Sequence, residues 1–234
     1  MNTPLPTRPT TTPHRARTRT RPRTNCLPLA GLLVAVATVL GACAQSPAAP
    51  HEFAGYEREP TPTVGDASLP AVTPDGASTL FQFKAESDHL LLVYFGYTSC
   101  PDVCPTTLFD ARSAIKNLED DADRVTLAMA TVDPEVDTPE VLHGYVTTFV
   151  DDAVALRTED DNQLRAAASA FGAEYGREEV DGESQPFHTG ALYAVSDQGQ
   201  LLLTWPFGVK APEIRADLEV LLDQIDAQNT GTTP

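Results

Sequence analysis

The sequence predicts an α/β fold in which a mixed central sheet is flanked by helices. Residues 90–95 form a continuous apolar run, which is typical of a strand buried on both faces of a sheet. Predicted strands and helices alternate along most of the chain, as they do in α/β proteins. An antiparallel hairpin predicted near the C-terminal end makes the sheet mixed rather than purely parallel.

The individual elements follow from turn, capping and periodicity signals. An N-terminal hairpin is predicted over residues 71–83, because Pro74-Asp75-Gly76 is a turn sequence. After the strand at 90–95, apolar residues recur at helical spacing, at Leu108, Ala111, Ile115 and Leu118. The remaining predicted elements are a strand at 125–132, a helix starting at Asp137-Thr138-Pro139-Glu140 and running to about residue 149, a strand at 153–156, a helix capped by Thr158 and ending near Phe171-Gly172, a hairpin of strands 191–195 and 200–204, and a helix at 212–228. This order best fits a thioredoxin-like fold with an inserted strand and helix.

The first 42 residues have the organisation of an export signal. A Pro-, Thr- and Arg-rich start is followed by an apolar run of about fourteen residues, from Leu27 to Leu40. That run is short for a membrane span, which needs roughly 20 residues, but it suits the core of a signal peptide. Because it ends in Gly41-Ala42-Cys43, it resembles a bacterial lipoprotein signal, and we expect residues 1–42 to be removed and Cys43 to be acylated. The alternative is an uncleaved N-terminal anchor; either way the chain is expected at the cell membrane, on its extracytoplasmic face.

The rest of the chain divides into three predicted parts. Residues 43–64 are rich in Pro, Ala and polar residues and are expected to form a flexible, lipid-anchored tether. Residues 65–228 show no further change in composition and no internal repeat, so they are predicted to form one domain. Residues 229–234 are expected to be a disordered tail.

The charge distribution excludes one class of partner. Six of the 16 Lys and Arg residues precede position 43, where there is no Asp or Glu. The exported part therefore carries all 33 acidic residues of the chain but only ten basic ones. Binding to nucleic acid needs clustered Lys and Arg against the phosphates. We therefore expect no nucleic-acid partner.

Two of the four cysteines are expected to carry the chemistry. Cys26 leaves with the signal peptide and Cys43 is consumed by the lipid, which leaves Cys100 and Cys104 in a compartment where disulfides persist. They lie where a buried strand passes into a helix, and a helix N-terminus favours a thiolate. Side chains at i and i+4 on a helix have Cβ atoms roughly 5–6 Å apart, which suits two thiolates on a metal at least as well as a disulfide.

Several identities for this cysteine pair can be compared. A structural disulfide would close a very small loop and stabilise the fold by only about 2 kcal/mol. A structural zinc site normally collects four Cys or His ligands, and haem attachment needs Cys-x-x-Cys-His, which is absent. Monovalent copper is soft, and thiolates with an imidazole satisfy it. Copper, as Cu(I) or Cu(II), is therefore the preferred ligand, although a redox-active pair remains open.

A third ligand would come from the five histidines. His14 leaves with the signal peptide, His51 lies in the tether, His89 precedes the buried strand at the end opposite the cysteines, and His143 is expected on a helix surface. His188 follows an acidic, Gly-containing loop at 177–185 and enters a strand whose start faces the redox motif in a thioredoxin-like sheet. His188 is the best candidate among them, but a lone histidine is more often structural than a ligand.

The segment from Phe95 to Pro105, Phe-Gly-Tyr-Thr-Ser-Cys-Pro-Asp-Val-Cys-Pro, closely resembles the signature of the Sco (SenC) family of copper proteins. Further similarities follow in order, and together they extend over nearly all of residues 65–226. They are Val132-Asp133-Pro134-Glu135, Asp137-Thr138-Pro139, His188-Thr189, Tyr193, Gly199 and Pro206-Phe207-Gly208. The resemblance implies a thioredoxin-like domain that binds one copper ion through Cys100, Cys104 and His188.

The resemblance also implies a function in assembly of cytochrome c oxidase. A copper chaperone would deliver the ion to the CuA centre of oxidase subunit II, aided by a mobile loop before His188. The alternatives are a thiol-disulfide oxidoreductase that reduces the cysteines of that centre, and a copper or redox sensor. Other extracytoplasmic copper chaperones or thiol reductants are further possible partners. Phe187 departs from the family, which often has an acidic residue there, and Asp133 is a weaker candidate for tuning the pocket.

Overall fold

A computed structural model describes residues 50–180 and 182–231. The described residues belong to one compact unit. Its elements, in chain order, are β1 (Ser68–Val72), β2 (Ser78–Gln82), β3 (Leu90–Gly96), α1 (Val103–Lys116), a 3₁₀ segment (Glu119–Arg124), β4 (Val125–Thr131), α2 (Pro139–Thr147), β5 (Val154–Leu156), α3 (Asp161–Phe171), β6 (Tyr175–Val180), β7 (Glu183–His188), β8 (Leu192–Val195), β9 (Leu201–Trp205) and α4 (Ala211–Asn229).

Seven of the strands form one mixed sheet in the order β2-β1-β5-β4-β3-β8-β9. The three central strands β5, β4 and β3 are parallel, whereas β8 runs antiparallel to β3 and β9 antiparallel to β8. β1 and β2 form the predicted N-terminal hairpin, and β1 joins that hairpin to the sheet by pairing with β5. The predicted mixed sheet is thus confirmed, with the hairpin at one edge.

Both faces of β3 are buried, as its continuous apolar sequence predicts. Because side chains alternate along a strand, Leu92 and Tyr94 pack on the face covered by α1, α2 and α4, whereas Val93 and Phe95 pack on the face covered by α3. This burial fixes the strand that leads directly into the cysteine turn.

One predicted helix start is corrected and another is confirmed. The cap of α3 is Asp160, whose side chain accepts from the N–H groups of Asn162 and Gln163; the predicted cap, Thr158, instead accepts from the N–H of Asp160. The capped start predicted for α2 at residues 137–140 is confirmed, since the hydroxyl of Thr138 accepts from the N–H of Val141.

The predicted loop at 177–185 is also corrected, because most of it is regular structure. β6 and β7 form a separate two-stranded antiparallel ribbon, in which Tyr175 pairs with His188 and Arg177 with Pro186. The charged residues of this segment obscured the strands, since β-propensity and alternation are weak in a ribbon with little buried surface. His188 is the last residue of β7.

The expected tether is shorter than residues 43–64. His51 Nε2 lies 2.7 Å from Asp217 Oδ1 on α4, the N–H groups of Ala54 and Gly55 donate to the same carboxylate, and Val64 is fully buried. The segment from 50 to 64 is therefore part of the domain, because together with the indole N–H of Trp205 it satisfies the buried carboxylate of Asp217. The signal sequence, Cys43 and the last three residues lie outside the described residues. Among the helices that the structure describes, none combines the length and the apolar character needed to cross a bilayer.

Candidate metal centre

The two cysteines lie at the junction between β3 and α1. Cys104 is in the first turn of α1, and its backbone N–H donates to Cys100 Sγ at a distance of 3.4 Å. The first N–H groups of a helix have no partner within the helix, so the Cys100 sulfur occupies the place that a capping side chain usually takes. Both cysteines are buried and both are free thiols.

The two thiols differ in acidity. Burial acts to raise the pKa of Cys100, but hydrogen bonds from the backbone N–H groups of Cys104 and Asp102 outweigh it, and the pKa of Cys100 is lowered. Cys104 lies deeper, and burial raises its pKa to about 12. In the metal-free protein Cys100 is therefore the more readily ionised sulfur, while Cys104 keeps its proton.

His188 reaches the cysteines from the β6–β7 ribbon. Its Nε2 lies 3.2 Å from Cys104 Sγ, and its Nδ1 lies 3.0 Å from the carbonyl oxygen of Thr189. Because a carbonyl can only accept, the proton resides on Nδ1, and Nε2 presents its lone pair to the sulfur. Burial lowers the pKa of His188, which keeps the imidazole neutral, as a metal ligand must be.

The sulfurs of Cys100 and Cys104 and a ring nitrogen of His188 all lie within 4.8 Å of one another. No other cluster of three or more Cys, His, Asp or Glu side chains in the described ranges has this spacing. Two thiolates and one imidazole form a soft donor set, which fits monovalent copper well, and the nitrogen also suits divalent copper. The predicted ligand residues are thus brought together.

Aromatic residues and one glycine shape the space around the three side chains. The rings of Tyr94 and Tyr97 meet the His188 ring edge to face, with centroids 5.7 and 5.6 Å apart. A Cβ atom on Gly96 would lie 2.9 Å from Cys104 Sγ and 2.6 Å from the Tyr94 ring. Only glycine at position 96 therefore allows the strand to pass so close behind the Cys104 sulfur.

Asp137 is a site-shaping residue that sequence reasoning missed, because its position suggested only a helix start. Its fully buried carboxylate accepts from both the N–H and the hydroxyl of Thr98, two residues before Cys100, and from the hydroxyl of Thr131 at the end of β4. Thr98 is 39 positions away in sequence, so no local pattern signals this interaction. The carboxylate fixes the turn that holds Cys100.

Asp133, expected near the pocket, pairs with the ribbon. Its nearly buried carboxylate accepts from Arg177 Nη1 at 3.0 Å. Phe187 lies on the ribbon opposite Gly176, where its ring covers the glycine, and neighbouring side chains of a strand point to opposite faces. Phe187 is therefore directed away from the side of the ribbon that carries His188.

The other described histidines lie apart from the cysteines. His51 binds Asp217, and the Nδ1 atom of half-buried His89 lies 2.7 Å from the carbonyl oxygen of Ser87. His143 is within α2 and belongs to no metal-binding cluster of the described residues. His188 alone among the described histidines joins the cysteine pair.

Comparison with known proteins gives consistent matches. The family model SCO1/SenC matches residues 78–223. An SCO2-like protein of Rickettsia prowazekii is 33% identical over 60% of this chain and 69% of its own length. The solution structure of apo Sco1 from Thermus thermophilus is 32% identical, with a TM-score of 0.61, and the match covers 74% of this chain and 99% of that one. Copper-bound ScoI of Bradyrhizobium japonicum is 26% identical, with a TM-score of 0.54, over 66% and 97% of the two chains. These structures confirm the predicted thioredoxin-like fold.

Proposed function

The chain belongs to the SCO1/SenC family, and we propose that it is a copper chaperone that holds one copper ion through Cys100, Cys104 and His188. It delivers this ion to the CuA centre of cytochrome c oxidase subunit II. Copper is thus the cargo of the protein rather than a permanent cofactor. The copper-bound Bradyrhizobium relative and the soft donor set support the choice of metal.

The observation that carries the proposal is the approach of His188 Nε2 to 3.2 Å from Cys104 Sγ with its lone pair directed at the sulfur. A dithiol that only exchanges electrons has no need of a neutral imidazole fixed beside it. A copper carrier does need one, because the imidazole supplies a third ligand and makes the site suitable for both Cu(I) and Cu(II).

Release of the ion to subunit II follows from the same arrangement. An incoming thiolate of the acceptor can replace one ligand at a time, so that copper is never free in solution. Because Cys100 is the more readily ionised sulfur and His188 lies on a ribbon outside the main sheet, these two side chains are suited to exchange first.

The proposed location is the extracytoplasmic face of the cell membrane, with Cys43 as the acylated first residue. The apolar run that ends in Gly41-Ala42-Cys43 supports this placement. Intact-mass measurement on protein extracted from membranes tests it. We expect a chain that begins at Cys43 and carries the additional mass of a lipid; an unmodified chain that keeps residues 1–42 would contradict it.

The delivery function is tested in cells that carry His188→Ala. We expect loss of CuA loading of the oxidase although Cys100 and Cys104 still cycle between thiol and disulfide, and partial recovery when excess copper is added to the medium. A strain with His143→Ala serves as the matched control, since that histidine belongs to no metal-binding cluster of the described residues, and it should load the oxidase normally.

A second candidate function, reduction of the CuA-site cysteines, is favoured by the lowered pKa of Cys100, which activates an attacking thiol. The two functions predict opposite rescue. If the His188→Ala strain assembles oxidase normally, while a Cys104→Ser strain fails and is restored by a thiol reductant but not by copper, disulfide reduction is the function. A sensor role would instead leave oxidase assembly intact in both strains.

A further inference from the structure

The ribbon of β6 and β7 carries His188 but is not hydrogen-bonded into the seven-stranded sheet. The position of the imidazole therefore depends on how the ribbon is fastened to the domain. At its base, the Tyr175 hydroxyl donates to Asp161 Oδ1 at 2.8 Å, and the N–H of Thr189 donates to the carbonyl of Glu174. Farther along the ribbon, the Arg177 side chain reaches Asp133.

Arg177 lies on the same face of the ribbon as His188. The residue pairs Tyr175–His188 and Arg177–Pro186 are two positions apart, and side chains two positions apart in a strand share a face. The guanidinium also holds the two strands together, because Nε donates to the Ser184 hydroxyl and Nη2 to the Ser184 carbonyl. Its third nitrogen, Nη1, is the one that donates to Asp133 Oδ1 at 3.0 Å.

Asp133 continues the connection toward the cysteines. Its backbone N–H donates to the Thr131 hydroxyl, and that hydroxyl donates to Asp137. Asp137 in turn accepts from Thr98, which precedes Cys100 by two residues. A continuous series of hydrogen bonds therefore runs from the ribbon to the cysteine turn. Within this series, the Arg177–Asp133 pair is the contact that joins the ribbon to the rest of the domain.

We propose that the Arg177–Asp133 pair is a latch that positions His188 against Cys100 and Cys104 and so sets how firmly copper is held. Arg177 is a positioning residue, since it acts through the ribbon and not by touching the ion. The Asp133 side chain is only 5% exposed whereas that of Arg177 is 49% exposed. Breaking the pair would leave a nearly buried carboxylate without its counter-charge, so the closed latch is favoured while solvent and a docking partner can still reach the guanidinium.

The latch rests on the proposed copper function, and its test separates the two. Purified full-length chain is compared with Arg177→Gln, Asp133→Asn and the double variant, and Arg215→Gln is the matched control. Arg215 has a similar exposure to Arg177, but it pairs with Glu219 on its own helix, α4. Each protein is titrated with Cu(II), and its electron paramagnetic resonance and thiolate-to-copper absorption are recorded. Amide hydrogen exchange of residues 175–188 is measured without metal.

Three results are expected if the latch operates. Arg177→Gln and Asp133→Asn each weaken Cu(II) binding about tenfold, the size typical of residues that orient a ligand, and weaken the nitrogen coupling of the imidazole in the spectrum. The double variant is no worse than either single variant, because both remove the same link. Ribbon amides exchange faster in all three, whereas Arg215→Gln resembles the unaltered chain and Arg177→Lys recovers part of the loss.

Other outcomes overturn one proposal or the other. If the unaltered chain binds copper through the three residues and Arg177→Gln matches Arg215→Gln in spectrum and exchange, the latch is wrong and the copper function stands. If Cys100→Ala binds copper as well as the unaltered chain does, the proposed copper site itself is wrong. Equal melting temperatures of the variants exclude general unfolding as the cause of a loss.

Discussion

Cys100 and Cys104 follow a strand in the buried core of the main sheet, whereas His188 lies on the two-stranded β6–β7 ribbon outside that sheet. The cysteine turn follows a strand that is buried on both faces and hydrogen-bonded on both edges, to β4 and to β8. In the ribbon that carries His188, the β6 strand is mostly exposed, and the two strands β6 and β7 are hydrogen-bonded only to each other and to no strand of the main sheet. The three side chains nevertheless meet within 4.8 Å.

Because the cysteines lie on a buried turn and His188 on an exposed ribbon, one site can both retain and release an ion. Local opening costs least where few apolar contacts are buried, so the ribbon can move while the cysteine turn keeps its geometry. A site built wholly on the rigid strand would hold copper but exchange it slowly. A site built wholly on the ribbon would lose the pre-organisation that the buried sulfurs supply.

The largest expected effect comes from removing one of the two cysteine ligands on the buried turn. Cys100→Ala or Cys104→Ala should each lower copper affinity by more than about 100-fold, because the loss exceeds that of an orienting residue and leaves one thiolate for a soft ion. Competition titration of the reduced chain with a Cu(I) chelator measures it. A variant that still competes like the unaltered protein would show that the sulfur is not a ligand.

Removing His188, the ligand on the ribbon, should affect the affinity for Cu(II) more than the affinity for Cu(I). His188→Ala should spare much of the Cu(I) affinity, since two thiolates can hold the soft ion, but weaken Cu(II) by about 10- to 100-fold, since Cu(II) prefers nitrogen and a higher coordination number. Parallel titrations with the two ions check this. An unchanged Cu(II) spectrum would place the third ligand elsewhere.

The two cysteines of the buried turn should also differ from each other in reactivity. The pKa of Cys100 is lowered by backbone N–H hydrogen bonds, so at any given pH it carries a larger thiolate fraction than an ordinary thiol, whereas Cys104, with a pKa of about 12, stays protonated until strongly alkaline pH. At pH 7.5, iodoacetamide should modify Cys100 at least about tenfold faster than Cys104. Peptide mass spectrometry over time measures both rates, and equal rates would contradict the assignment.

The smallest expected effect tests the packing behind Cys104. In Gly96→Ala the new methyl group would crowd the Cys104 sulfur and the Tyr94 ring, which should cost about 1–3 kcal/mol of unfolding free energy and weaken copper binding. Gly144→Ala is the control, because nothing lies within 4 Å of its Cβ position in α2, and it should be neutral or stabilising. Urea unfolding of both variants measures the difference.

Sequence patterns predicted the buried half of this molecule better than the exposed half. The apolar run at 90–95 and the turn at Pro74-Asp75-Gly76 depend on local chemistry, and both elements were confirmed. Residues 177–185, most of the ribbon, were predicted as a loop, because the charged residues there show little of the apolar alternation that marks a half-buried strand. Asp137 was assigned to a helix start, since nothing local signals that its carboxylate binds Thr98 across 39 positions of sequence.

The interaction between His51 and Asp217 determines the reach of the protein. It fixes the start of the domain near residue 50, so that only about seven residues separate it from the lipid proposed at Cys43. Seven extended residues span at most about 25 Å, whereas a free segment to residue 64 would span about 75 Å. With Cys43 acylated as proposed, a tether this short would confine the domain to a thin layer over the bilayer and raise its effective concentration toward acceptors embedded in the same membrane. For a soluble acceptor, in contrast, a short tether would bring no such increase in effective concentration.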